Sequence, residues 1–290
     1  MGVQNLSATS GNAASATAVY SYGVTWAGAA RPQPGVGVAG GSVEPVRHGE
    51  LAALTSHVES TKIRATRRDL LSHSDVLSAA LEQGTVLPFR FGVVFESDAA
   101  LVDDFLRPRH DELTGLLRTF EGRGELTVKA FYREHAILAE IVRENPRIAR
   151  LREVTRHSNE ASTYSLRVEL GESAAGELRE RTRRDRQALL ERLRPLAIDV
   201  EIDEEPIEHE VLRASFLVDL DRVPAFDEAM DELARSQAER MHFKYLGPLA
   251  PHSFASLAAT GVGDGSFDRA VDAPARSRPR NHLDRRAAHG

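Results

Sequence analysis

The sequence predicts an α+β protein of two α/β sandwich domains, the C-terminal one ferredoxin-like (βαββαβ) and the N-terminal one a related α/β fold. A helical connector joins them, and both termini are expected to be disordered. Three observations carry this. Short runs of apolar residues alternate at period two and are separated by stretches of helical period. Across residues 161–258 the runs come in the order β-α-β-β-α-β, the split βαβ pattern. The ends, 1–18 and 259–290, are rich in small and turn-forming residues and have little to bury.

The first domain is expected over 19–132. Tyr20, Tyr22, Val24 and Trp26 alternate with Ser21, Gly23 and Thr25, which reads as a half-buried strand. A Pro/Gly loop follows, then a strand-like stretch near Leu51 to Val58. Thr66 to Gln83 reads as a helix with Leu70, His73, Leu77 and Leu81 on one stripe, stopped by Gly84. Ser97 has the chemistry of an N-cap, and Pro108 should split the helix running to about Glu121. Leu126, Val128, Ala130 and Tyr132 alternate as a closing strand.

A helical connector is expected over 133–160, broken by Pro146. The second domain, 161–258, then opens with Tyr164, Leu166, Val168 and Leu170 as a strand and continues with a long helix to Arg194. Strands around Ile198–Ile202 and Leu212–Leu220, a helix over Pro224–Arg240 and a last strand at Phe243 and Tyr245 complete it. Gly247 and Pro248 should break that strand, and Pro251 should stiffen the turn that presents His252, Ser253 and Phe254.

The segment Val86 to Phe95, V-L-P-F-R-F-G-V-V-F, is the most informative. At period two Leu87, Phe89, Phe91, Val93 and Phe95 form an unbroken apolar row. Pro88 and Arg90 fall on the other face, which therefore does not read as core.

Composition excludes much. There is no cysteine, so disulfides, thiolate nucleophiles and Cys-ligated zinc are ruled out. No two of the eleven histidines lie within four residues, so no helical metal face exists; no metal, cofactor or catalytic residue is expected. Gly35 to Gly40 fits G-x-G-x-x-G, but flanking prolines deny it the strand and helix a dinucleotide site needs. A net charge of −6 argues against a dedicated nucleic-acid binder. No signal peptide or membrane span is legible, which places the protein in the cytoplasm. Asp199, Glu201 and Asp203 read as a solvated sheet face, and the arginines of 179–194, interleaved with carboxylates, as a salt-bridged helix surface. His73 reads as a satisfied core histidine.

These segments together resemble the gas vesicle accessory family GvpL/GvpF. The resemblance rests on Tyr20-Ser-Tyr-Gly-Val24, His73 with Val76-Leu77, Gly84 to Gly92 with Val94-Phe95, Glu125 with Val128-Lys129, and Gly247-Pro-Leu-Ala-Pro-His-Ser-Phe254. Ala250 and His252 depart from a proline and a tyrosine in the family pattern. The resemblance implies a non-enzymatic assembly factor or minor vesicle component, associated with gas vesicles in the cytoplasm. Its implied partners are the hydrophobic shell protein and other vesicle accessory proteins, with neither nucleic acid nor membrane among them. Phe89, Arg90, Phe91, Gly247, Pro248, His252 and Phe254 are the candidates for contacting a partner or organising the contact surface. Two rivals remain open. A nucleic-acid binder predicts a basic sheet face with exposed Phe or Tyr. A small-ligand site or enzyme predicts a polar cleft at Arg90 and His73 between the two domains.

Overall fold

The computed structural model describes residues 18–33, 37–159, 163–203, 207 and 209–255; the expectations for the two ends lie outside them. The first sheet comprises β1 (Ala18–Trp26), β2 (Glu44–His48), β3 (Leu51–Val58) and β4 (Val86–Pro88) in the order β2-β3-β1-β4, all antiparallel. The two-residue β5 (Val94–Phe95) also pairs with β1. Helix α1 (Arg67–Gln83) covers one face. The other is covered by α2 (Asp98–Ala100), the π-helical Leu101–Leu106 and α3 (His110–Thr119). Local chemistry sets these boundaries. The Thr66 hydroxyl accepts from the Asp69 amide, Ser97 accepts from Ala100, and Pro108 separates the π-helical turn from α3.

Because helices cover both faces, β1 is buried on both, not on one as its alternation suggested. Its phase also changes midway. Val19 faces the α3 side and Tyr20 and Tyr22 face α1, but Val24 and Trp26 return to the α3 side. A bulge between Ser21 and Gly23 accounts for the switch. Gly23 is required there, since a Cβ would lie 2.6 Å from the Leu87 carbonyl oxygen.

The second sheet comprises β6 (Arg123–Tyr132), β7 (Asp199–Ile202), β8 (Glu210–Asp219) and β9 (Met241–Leu249) in the order β7-β8-β6-β9, again antiparallel. Helices α4 (Glu134–Glu144), α5 (Pro146–Arg156), α6 (Tyr164–Leu193) and α7 (Val223–Ser236) pack on one face. Two expectations are corrected. Residues 164–170 are the first turns of α6, not a strand; Tyr164 is 71% and Val168 43% exposed, and of the four apolar residues Leu170 packs against the core. The strand expected to close the first domain is instead β6, a central strand of the second sheet, so a boundary after 132 would cut that sheet.

Under this sheet α4, α6 and β6 are tied by buried charge. Arg181, 5% exposed, donates to Glu177 at 2.5 Å and Glu144 at 2.8 Å, with Glu140 at 3.5 Å. Glu140 accepts from Arg240, Arg240 reaches Asp185, and Asp185 accepts from Tyr132. The arginine-rich helix is therefore salt-bridged, as its interleaved carboxylates suggested.

Candidate functional site

The ten-residue strand expected at 86–95 is interrupted. β4 and β5 both line the edge of β1, with Phe89 N–H bonded to Tyr22 O and Ser21 N–H to Val93 O. Between them residues 90–92 turn outward, with Gly92 at φ +93°. Pro88 sits on an edge strand, where its missing N–H costs no ladder bond. The predicted faces change accordingly. Phe89 is fully buried against Phe95 and Phe105, Phe91 lies on the α1 side beside His73, and Arg90 is exposed at the tip.

The loop is held by a chain of hydrogen bonds from the core. His73 Nε2 lies 3.2 Å from Phe89 O, and Nδ1 lies 2.8 Å from the Tyr20 hydroxyl. A carbonyl only accepts, so Nε2 carries the proton and Nδ1 accepts from Tyr20. The same hydroxyl accepts from Gly92 N–H at 3.3 Å. One histidine and one tyrosine thus fix both ends of the outward turn. Next to them Tyr22 OH lies 2.8 Å from Ser56 Oγ and accepts from Val38 N–H.

The C-terminal turn closes on the same place. β9 is not broken at Gly247 and Pro248 as expected; it runs to Leu249, and a register shift opposite Glu125 and Thr127 absorbs the irregularity. Gly247 has φ +133°, and a Cβ there would approach Glu125 O to 2.7 Å. The chain then turns through Pro251 into α8 (His252–Ala255). His252 stands 6.3 Å from His73, and Phe254 and Ala255 pack with Phe89 and Phe105. Ser253 donates from its amide and hydroxyl to the buried Glu125 carboxylate, both at 2.8 Å.

The predicted residues are therefore brought together, but as a joint between the two sheets rather than as one exposed surface. Arg90, Gly247 and Pro248 are exposed, Phe91, His252 and Phe254 half-buried, and Phe89 buried. Tyr20, Tyr22 and Glu125 are not among the predicted contact residues, whereas Ser253 belongs to the turn the sequence singles out. Their proximity to the rest comes from pairings tens of residues apart that leave no local pattern. Among the described residues no group of histidines and carboxylates could hold a metal, and no helix is long and apolar enough to cross a membrane.

Burial, then the neighbouring His252, pushes the His73 pKa down from its ordinary 6.5 to about 4, and burial lowers that of His252 as well. Between those values the unfolded chain binds the proton and the folded one does not. His73 therefore favours folding fully above pH 6.5, and up to about 3 kcal/mol of that is lost as pH falls through 4. Denaturant titrations from pH 7.5 to 4.5 should show a shallower decline for His73→Gln than for the unaltered protein; parallel curves would refute it.

Comparison with known proteins identifies the arrangement. The family model for gas vesicle synthesis protein GvpL/GvpF matches residues 18–256. The chain belongs to the GvpL/GvpF family. A gas vesicle protein F of Streptomyces sp. (strain CB03234) is 33% identical over 238 residues, covering 81% of this chain and 98% of that protein. Two crystal structures of GvpF, from Anabaena sp. PCC7120 and Microcystis aeruginosa, align with TM-scores of 0.69 and 0.64 at 24% and 22% identity. Each covers 83% of this chain and 99% of that one, so the mixed helix-and-sheet fold with two antiparallel sheets is that of GvpF. The residues that carried the GvpL/GvpF resemblance in the sequence include Tyr20, His73, Phe89, Phe91, Gly92, Glu125, Gly247 and Phe254. In the structure they surround this one joint.

Proposed function

We propose that this protein is a non-catalytic gas vesicle assembly factor. It binds the hydrophobic shell protein and other accessory proteins while the vesicle is nucleated and built. The observation that supports this reading is the family match across the whole described fold. Shell subunits with a water-repelling face aggregate unless that face is covered, which gives a carrier its physical role. It works in the cytoplasm at the vesicle, and its similarity to a gas vesicle protein F favours an F-type role. Its second unit is best described as ferredoxin-like with β6 as first strand, which the order β7-β8-β6-β9 supports.

Arg90 and Phe91 at the loop tip make contact with the partner in this reading. Phe89, Gly247, Pro248, His252 and Phe254 hold that tip in place. Co-purification with the major shell protein, beside deletion of the gene in a vesicle-forming strain, tests the function. Buoyant vesicles without the gene and no captured shell protein would sink it. Arg90→Glu should change unfolding free energy by no more than about 1 kcal/mol, as for other exposed charges, yet reduce shell-protein capture several-fold. Undiminished capture by a folded variant would remove Arg90 from the contact.

A further inference from the structure

The first half of α6 has an outer face that is uncovered among the described residues. Over this stretch the inner face carries Leu170, Ala174 and Leu178 onto the core of the second unit. At helical period Tyr164, Val168, Gly171, Glu172, Ala175 and Arg179 share another side, and all six are exposed. Tyr164 at 71% and Val168 at 43% are large apolar side chains one turn apart in water. The joint described above lies elsewhere, since it closes on the opposite face of the sheet at Glu125 and Leu217.

Two observations define what this side can receive. Gly171 and Gly176 stand in the interior of a helix, where glycine is less favourable than alanine. A Cβ at Gly171 would meet nothing within 4 Å, and one at Gly176 only the Arg179 guanidinium at 3.9 Å. Packing within one chain therefore requires neither glycine. With Ala175 between them, they leave a place where a second helix backbone can lie close. Charge brackets that place. Glu172 and Arg179 lie two turns apart on the same side, equally distant in sequence from the midpoint of Ala175 and Gly176. Neither has a partner among the described residues, whereas Glu169, Glu177, Glu180, Arg181 and Arg183 of the same helix are all paired.

We infer that this face pairs two copies of the chain, α6 against α6 and antiparallel, about a twofold axis at Ala175 and Gly176. The occupant is chosen by charge complementarity. A carboxylate and a guanidinium placed evenly about a small centre make a face complementary to itself, because the axis brings Glu172 of each copy to Arg179 of the other. An unrelated acidic or basic partner would satisfy one of these charges and strand the other. In the same register Val168 lies along the Arg183 stem of the second copy, which removes apolar surface from water. One helix on one helix is a small contact, so the pairing is reversible and follows concentration. The face is separate from the shell-protein contact assigned to Arg90 and Phe91, so either assignment can fail alone.

The test is sedimentation velocity of the full chain at physiological salt, over about a hundredfold range of concentration. Dimer should accumulate as concentration rises. Glu172→Arg alone and Arg179→Glu alone should each weaken association about tenfold or more, because two attractions become two repulsions. An equimolar mixture of the two variants should associate again, since each repulsion is relieved across the axis. Circular dichroism should show every form folded. Three results would each overturn the proposal: monomer at all concentrations, dimer indifferent to the single reversals, or a loss that the mixture does not restore. A monomer whose shell-protein capture falls with these reversals would give the face to that protein and overturn it equally.

Discussion

Phe89→Ala is expected to lower unfolding free energy by about 3–5 kcal/mol, the cost of emptying a fully enclosed aromatic site. The ring packs against Phe95 and Phe105 at centroid distances of 6.2 Å and 5.0 Å, and Phe254 and Ala255 belong to the same cluster. The cavity would therefore loosen the first sheet and the joint with the second together. Chemical denaturation should show the loss, and Phe89→Leu, which keeps most of the volume, should recover much of it. A loss under about 1 kcal/mol would mean that the site collapses freely and that the joint contributes little. A partner-binding defect in Phe89→Ala would report this damage and not a lost contact, which makes Arg90 the cleaner probe of the surface.

Arg181→Ala should cost about 3 kcal/mol. It removes the guanidinium that bridges all three of Glu140, Glu144 and Glu177, whose side chains are 11%, 48% and 31% exposed. Deleting one partner of a buried cluster strands the others, and the partial exposure of Glu144 and Glu177 keeps the figure at the lower end of the usual range. Arg240 still pairs with Glu140, and Arg143 with Glu144 at the surface, which limits the damage and leaves Glu177 the most exposed to the loss. The measurement is the unfolding midpoint near neutral pH. Adding Glu144→Gln and Glu177→Gln to Arg181→Ala should return part of the lost stability, because the uncompensated charges are then gone. No recovery would show that packing, not charge, makes Arg181 matter.

Much of the fold was legible because it is written locally. Helix α1 carries its stripe, its Thr66 cap and its Gly84 stop within one stretch, and Pro108 and Pro146 divide helices where their missing N–H requires it. Residues 164–170 misled because four apolar residues at alternate positions satisfy a strand template over a span too short to reveal the helical period. The place of β6 was hidden for a different reason. It pairs with β8, whose facing residues lie 79–96 positions later, and only the closed sheet shows that connection. The candidate site divides the same way. Its residue types were visible as motifs, whereas the hydrogen bonds from Tyr20 to His73 and from Ser253 to Glu125 exist only after both sheets have formed.

The closing turn at 250–255 has a consequence for synthesis on the ribosome. Glu125 leaves the ribosome 128 residues before Ser253, so the carboxylate and the apolar cluster around Phe105 and Leu217 stay uncovered while the rest is translated. At roughly 5–20 residues per second that interval lasts from about 6 to about 26 seconds. The two halves can form their sheets in sequence, but the seam between them is sealed last, by six residues near the end of the fold. A nascent chain stalled just short of Pro251 would therefore present an unfinished, sticky seam, the same hazard this protein's proposed clients pose.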